Sequence, residues 1–492
     1  MTDGPAGFSL PAMEDRLTAL DATFLELEQR DEGATMHIGS VMIFEPPPNG
    51  RAPTLEDVRE NIASRLTRLP RYSQRLSSER TGGLSWPRWV SDPQFDVAEH
   101  VRRAALPAPG DEAELLDWAG DFFSHRLDRT RPLWEMVLLE GLSGGRWALA
   151  SKTHHCLVDG VGSVGVVHLL LDLDPVPAVQ GPRGSSVPPA PGGAVTGRTA
   201  HPPEALEGLA RSGLRAARAG IHAALHPRET FERSLSLAEL IVRDELIGAP
   251  SSSINVPIGA TRRFDVVRAD LGELKAVGHL HGGSVNDVIL AACTAGLRSL
   301  LLSRSEKPPA EGLRAMVPMN IRESSEQLAL GNRISSLFVN LPVDEADAHA
   351  RLMRVIDHTT ALKASSAALG AATMIDLASM APPVLHAALA RSLYATRLFN
   401  LTITNVPGPR VPLYAFGAPL VEVLPVVPLA ADHAIGIAIV SYGGAIAVGV
   451  SADRDSTHDL GVLCAGIEHG FAALCERLPA AASRARAAPA AS

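Results

Sequence analysis

Two adjacent histidines, His154 and His155, stand in the stretch Thr153-His154-His155-Cys156-Leu157-Val158-Asp159-Gly160. A neutral imidazole, with a reference pKa of about 6.5, can take a proton from a hydroxyl near neutrality and return it to a leaving group. Other readings compete. His155 and Asp159 are four residues apart, and a histidine with a carboxylate can ligate zinc, but no third ligand stands at a recognisable spacing. Cys156 invites a thiol nucleophile, yet adjacency in sequence does not provide nucleophile-to-base geometry, and the residue reads as a packed thiol. On these residues alone, two structural histidines are as good a reading as a catalytic pair.

The elements around the pair sharpen this. Residues 147–153 have strand character, and the chain then turns through Asp159-Gly160 into an apolar helix expected over 161–173. Side chains at a strand-to-helix edge face clefts. Adjacent residues of a strand point to opposite sides, so at most one of the two histidines enters such a cleft.

Elsewhere, helix-like runs at 17–28 and 55–69 alternate with strand-like runs at 36–45 and 133–139, which predicts an α/β fold. Residues 176–203 are rich in Pro, Gly, Ser and Ala and read as a linker. Beyond it, helical patterns at 204–225, 271–279, 285–302 and 347–364 alternate with strand patterns at 313–318, 335–341, 401–405 and 435–450. The expected organisation is a domain over 1–175, the linker 176–203, a second domain over 204–479 and a disordered tail over 480–492.

A chain of 492 residues, 46% hydrophobic and 20% charged, has the composition of a globular protein with room for two cores. Its 45 basic and 54 acidic residues leave a net charge of −9 without a dense basic run, which argues against a nucleic-acid partner. Cys156, Cys293, Cys464 and Cys475 show no paired spacing, so a reducing, cytoplasmic location is expected. No signal peptide is read at the N-terminus. The longest apolar tract, 434–452, is interrupted by Ser441-Tyr442-Gly443-Gly444 and reads as a buried hairpin, so no transmembrane helix is expected.

Three further groups could contribute to a site. Asn286 opens the 285–302 helix, where it caps the helix or turns its amide toward a developing oxyanion; Asp287 reads more readily as part of a cap with Ser284. Pro132-Leu133-Trp134 precedes a strand and favours core packing over substrate contact. Asn405-Val406-Pro407-Gly408-Pro409 follows a strand and reads as a rigid turn.

The pattern His-His-x-x-x-Asp-Gly resembles the active-site motif of the CoA-dependent acyltransferase superfamily, which includes chloramphenicol acetyltransferase and peptide-synthetase condensation domains. Further matches run in order along the chain. Leu20-Asp21-Ala22-Thr23-Phe24-Leu25, Met36-His37-Ile38-Gly39, Arg131-Pro132-Leu133-Trp134, Val285-Asn286-Asp287-Val288 and Val317-Pro318-Met319-Asn320 are followed by Gly331-Asn332, Asn405 to Pro409, Ser441-Tyr442 and Asp453-Arg454-Asp455. Together they resemble the bacterial wax ester synthase/diacylglycerol acyltransferase family over roughly residues 17 to 475. The Pro-rich linker departs from the family pattern, as does Asp432-His433-Ala434, where a His-Gly-Leu run is typical.

The resemblance implies two chloramphenicol-acetyltransferase-like domains, each a mixed sheet flanked by helices, with the active-site tunnel at their interface. It implies an acyl-CoA co-substrate, no resident cofactor, no metal, and a long-chain alcohol or diacylglycerol as acceptor. By the same resemblance His155 is the general base and His154 supports it. Asp159 pairs with an arginine to hold the loop, and Gly160 permits backbone geometry that a Cβ would obstruct. Asn286 takes part in catalysis, while Asp287, Pro132, Leu133, Trp134, Asn405, Pro407 and Gly408 lie toward substrate.

Two alternatives stay open: transfer to a polyketide-derived or other secondary alcohol or from a carrier-protein thioester, and a catalytically silent lipid-binding protein. In the 204–225 helix Arg211, Arg215 and Arg218 share one face, which suits either an interdomain helix with a solvated basic side or peripheral contact with the inner membrane face or lipid droplets.

Overall fold

The computed structural model describes residues 17, 19–47, 50–67, 69–77, 87–157, 171–175, 248–320, 334–369 and 398–476. The first half contains α1 (Ala19–Arg30), β1 (His37–Phe44), α2 (Leu55–Leu66), the short β2 (Gln74–Leu76) and β3 (Trp89–Ser91), α3 (Val97–His100), β4 (Val101–Ala105), α4 (Glu112–Ser124), β5 (Trp134–Glu140) and β6 (Trp147–His154). The second contains β7 (Arg262–Asp270), α5 (Leu271–Leu280), α6 (Val285–Ser303), β8 (Leu313–Asn320), β9 (Ile334–Leu341), α7 (Ala348–Leu369), β10 (Leu401–Val406), β11 (Tyr414–Ala415), β12 (Ala418–Val426), β13 (Ile435–Tyr442), β14 (Ala445–Asp453) and α8 (Leu460–Cys475). Helix starts are set by reciprocal caps: Thr54 with Asp57 at α2, Asp111 with Glu114 at α4 and Ser284 with Asp287 at α6. Each pair satisfies amide donors that the first turn would otherwise leave orphaned.

The strands form two six-stranded sheets, in the orders β11-β12-β1-β6-β5-β4 and β7-β14-β13-β10-β8-β9. In the first, β1 lies between β6 and β12, with His37 opposite His154, and β5 runs antiparallel to β6 with Trp134 opposite Thr153. In the second, β10 pairs in parallel with both β8 and β13, whereas the other ladders are antiparallel. The expected mixed sheets with helices are therefore present.

The sheets do not divide at the linker. β11 and β12 follow it far along the sequence, yet β12 pairs with β1, with Gly39 opposite Val426. Two strands from the 204–479 segment thus join the first sheet, where β12 completes the ladder on that side of β1. Phe264, Val440, Tyr442 and Ala447 of the second sheet accordingly belong to the same apolar core as the first sheet.

The 434–452 tract is the β13–β14 hairpin, Tyr442 pairing with Ala445. Gly443 and Gly444 take φ of 57° and 86°, the left-handed geometry that a two-residue hairpin turn requires. α6 is long and apolar enough to cross a membrane by length and composition, but its residues 287–297 are all buried, in the core built with the second sheet and α8. It is the central helix of that core.

The helix expected over 161–173 does not reach its predicted end. Asp172 instead forms a bridge with Tyr414 through two 2.8 Å backbone hydrogen bonds, and its carboxylate accepts from Arg65 at 2.6 Å. The start of that helix, the linker 176–203, the 204–225 helix, Gly331-Asn332 and the tail 480–492 lie outside the described residues.

Candidate active site

β5 and β6 fix where the histidines emerge. Leu133, immediately before β5, accepts a hydrogen bond at its carbonyl from the His154 N–H at 3.0 Å. The Trp134 Nε1–H donates to the Tyr72 carbonyl at 2.7 Å, and its ring stacks on His100 with centroids 4.6 Å apart. Pro132, Leu133 and Trp134 are all buried. Their packing braces the strand next to the one that carries the histidines.

Strand alternation sends the two histidines to different environments. His154 is fully buried. Its Nδ1 accepts a hydrogen bond from the Cys156 N–H at 3.1 Å, and its Nε2 lies 3.3 Å from Glu28 Oε2. His155 is half-buried; its N–H donates to the Met36 carbonyl at 2.8 Å, and its ring stacks on Phe24, centroids 4.0 Å apart. Residues 155–157 form a turn closed by the Leu157 N–H on the His154 carbonyl at 2.9 Å.

Behind His154 is a buried charged cluster. Glu28 Oε1 lies 3.3 Å from His37 Nε2, and Oε2 receives Arg129 through Nε at 3.0 Å and Nη2 at 2.5 Å. Burial alone would raise the Glu28 carboxyl, but hydrogen bonds from His154 and His37 hold it far below the usual carboxylate range. Burial lowers both His154 and His37, the latter to about 4, despite the carboxylate. Lys152, two residues before His154 and on the same face, is buried with Nζ donating to the Phe122 and His125 carbonyls at 2.8 and 3.0 Å.

His155 is itself lowered to about 4, chiefly by burial and secondarily by His154. It is neutral at pH 7 and therefore able to accept a proton. Burial pushes the Cys156 thiol well above its ordinary value, so it is not a thiolate.

Glu28 and Arg129 were not found by sequence reasoning, although a signal was available. Phe24 and Glu28 are four apart on α1, hence on one helical face, and they contact His155 and His154 respectively. Among the described residues no three His, Cys, Asp or Glu side chains are grouped as a metal ion would require.

A second group of predicted residues gathers where α6 meets β10. The Asn405 side-chain amide donates to Asn286 Oδ1 at 3.2 Å. Asp287 commits both oxygens: Oδ2 accepts from the Ser284 N–H and hydroxyl, each at 2.7 Å, and Oδ1 from the Thr359 hydroxyl at 2.8 Å. With 3% of its surface exposed, it closes the start of α6 as a helix cap. Pro407 is exposed, while the Gly408 N–H donates to Ser441 Oγ at 3.3 Å. A Cβ on Gly408 would lie 1.9 Å from the Ser441 carbonyl oxygen, so only glycine lets this turn pass so close to β13. Asp159 and Gly160 lie outside the described residues.

Comparison with known proteins agrees with this arrangement. Residues 17–289 match the model of the wax ester synthase/diacylglycerol acyltransferase catalytic domain, and residues 330–475 that of the family's C-terminal domain. A probable diacylglycerol O-acyltransferase of Mycobacterium tuberculosis strain H37Rv is 34% identical over 471 residues, covering 94% of this chain and 96% of that protein. A second from the same strain is 31% identical over 462 residues, covering 92% and 97%.

Among solved structures, the wax ester synthase/diacylglycerol acyltransferase from Marinobacter aquaeolei VT8 superimposes with a TM-score of 0.65 at 27% identity, covering 94% of this chain and 98% of that one. The first condensation domain of the calcium-dependent antibiotic synthetase shares the fold, with a TM-score of 0.61 at 14% identity over 94% and 96% of the two chains. On these matches, which span nearly the whole chain, the protein belongs to the wax ester synthase/diacylglycerol acyltransferase family.

Proposed function

We propose that the chain transfers the acyl group of an acyl-CoA to the hydroxyl of a long-chain alcohol or a diacylglycerol, giving a wax ester or a triacylglycerol, with His155 as general base. The observation that carries the assignment of the base is the opposite orientation of the two histidines: His154 is enclosed beside Glu28, whereas His155 leaves the strand half-buried and neutral. One ring nitrogen of His154 accepts from the Cys156 N–H and the other lies 3.3 Å from Glu28 Oε2, so both face the protein interior.

The reaction balances around that imidazole. As the alcohol oxygen bonds to the thioester carbonyl carbon, its proton passes to His155. The carbonyl oxygen becomes an oxyanion, the C–S bond then breaks, and the proton returns from His155 to the departing sulfur to give free CoA. No covalent enzyme intermediate is needed, in keeping with the buried, protonated Cys156. Asn286, joined to Asn405, is our candidate for orienting substrate or meeting the oxyanion with its amide. An acyl chain of fatty-acid length gains about 0.8 kcal/mol per methylene on leaving water, which calls for an apolar channel leading to the histidine.

The test is release of free CoA from palmitoyl-CoA on addition of a long-chain alcohol or of a diacylglycerol, by the intact enzyme and by His155→Ala. Loss of a general base costs about 10²- to 10⁴-fold, so acceptor-dependent release should collapse in the variant. Release unchanged by the substitution would remove His155 from the base role. No release with either acceptor would overturn the substrate assignment.

A further inference from the structure

We propose that Glu28 and Arg129 are positioning residues for acyl transfer, acting on His155 by fixing the tautomer of His154; the inference rests on His155 being the base. The Cys156 N–H donates to His154 Nδ1 at 3.1 Å, so Nδ1 carries a lone pair and, in a neutral ring, the proton is on Nε2. That nitrogen is buried, and Glu28 Oε2, 3.3 Å away, is the acceptor it faces. The opposite tautomer would set an N–H on Nδ1 against the Cys156 N–H and a bare lone pair against a carboxylate. Both penalties would fall in a site from which water is excluded, where an unmatched donor or acceptor is most costly.

Arg129 holds the carboxylate in the pose this requires. Its Nε and Nη2 donate to Oε2 at 3.0 and 2.5 Å, and Nη2 also donates to the Leu25 carbonyl at 3.0 Å, tying the guanidinium to α1 itself. The same helix face supplies Phe24 to the His155 ring. α1 thus grips both histidines, one through a carboxylate and one through a ring.

The consequence reaches His155 through its turn. Three hydrogen bonds bracket that residue: its own N–H on the Met36 carbonyl, the Leu157 N–H on the His154 carbonyl, and the Cys156 N–H on His154 Nδ1. The third exists only in one tautomer. Without it the Cys156 amide is orphaned in a buried position and the turn relaxes, and a shift of about 1 Å in a catalytic group can cost on the order of 10²-fold in rate.

The experiment uses the full-length enzyme with palmitoyl-CoA and a long-chain alcohol, together with ¹⁵N spectra of histidine-labelled protein in which the His154 signals are identified by their loss in His154→Gln. In the wild-type spectrum His154 should be unprotonated at Nδ1 and protonated at Nε2. Glu28→Met, which removes the acceptor, should lower kcat about 100-fold with KM for the acyl-CoA within about 2-fold, because geometry at the base is lost and not binding. Glu28→Gln, whose carbonyl still accepts from Nε2–H, should recover about 10-fold or more of that loss and keep the wild-type tautomer.

A protonated Nδ1 in the wild-type spectrum overturns the proposal, as does a folded Glu28→Met with undiminished kcat. Equal damage from Gln and Met also overturns it, since charge and not the acceptor would then be what matters. If Glu28→Met does not fold, the wild-type spectrum and Glu28→Gln decide. His155→Ala in the same assay separates the two claims: if it retains full rate the base assignment fails, whereas the tautomer of His154 is still read independently.

Discussion

The two clusters of polar residues that the sequence singles out are built on different principles. At the end of β6 the protein buries full charges: Glu28, beside His154 and paired with the half-buried Arg129, and Lys152, which meets the Phe122 and His125 carbonyls. Where α6 meets β10 it uses neutral amides, Asn286 and Asn405, beside a carboxylate wholly committed to a helix cap and the Thr359 hydroxyl. Burying charge is costly unless every group is paired. Beside His154 that cost falls on a carboxylate in contact with two histidines, whereas Asp287 is consumed by its cap and the Thr359 hydroxyl. The contrast teaches that the first cluster can set protonation states, while the second can only place hydrogen-bond donors.

The largest effect that would sharpen this comparison is on rate, from the amide side. If Asn286 meets the oxyanion, Asn286→Ala should reduce kcat by about 10²-fold, the cost of losing one preorganised donor, and leave the pH dependence of kcat/KM unchanged. Steady-state kinetics over a pH range checks both parts. A shifted pH profile would mean that the second cluster also controls protonation, and the contrast would dissolve. An unchanged kcat would return Asn286 to its other role as a residue at a helix start.

A smaller effect is expected next door and should appear in stability. Asp287→Ala removes the reciprocal cap of α6 and one of the two acceptors of the buried Thr359 hydroxyl, which together should cost about 1 kcal/mol in chemical denaturation. Activity per folded molecule should change little. Selective loss of activity with stability intact would make Asp287 a substrate contact after all.

How much of this was legible in the sequence follows from the range of the physics involved. The strands came from β-branched runs and the α6 cap from its Ser-x-x-Asp spacing, both local signals; the 434–452 hairpin was readable because two glycines interrupt an apolar tract. The position of β12 was not, since nothing within residues 418–426 states that their partner is β1, near the other end of the chain. The charged cluster was invisible for the same reason. Glu28 at the end of a helix and Lys152 in a strand look like solvated residues until Arg129 and the carbonyls of Phe122 and His125 are brought to them from elsewhere in the chain. His154 and His155 were recognisable as a motif, and strand alternation required them to part, but which face carried the carboxylate needed the fold.

The smallest expected effect is the most direct probe of the first cluster. His155 is held down to about 4 by burial, and a group depressed in this way is neutral, and so able to accept a proton, at every pH above that value. The kcat/KM for acyl transfer should therefore vary less than about 2-fold between pH 5 and 8, and fall roughly tenfold per unit only as pH drops through about 4. An unperturbed histidine would instead give a limb near about 6.5. A limb at that higher value, measured with the enzyme folded throughout, would mean that the base in the free enzyme is more hydrated than the packing of His155 against Phe24 allows. It would also weaken the contrast between a dry proton-handling cluster and a neutral amide one, because a solvated imidazole needs no buried counter-charges behind it.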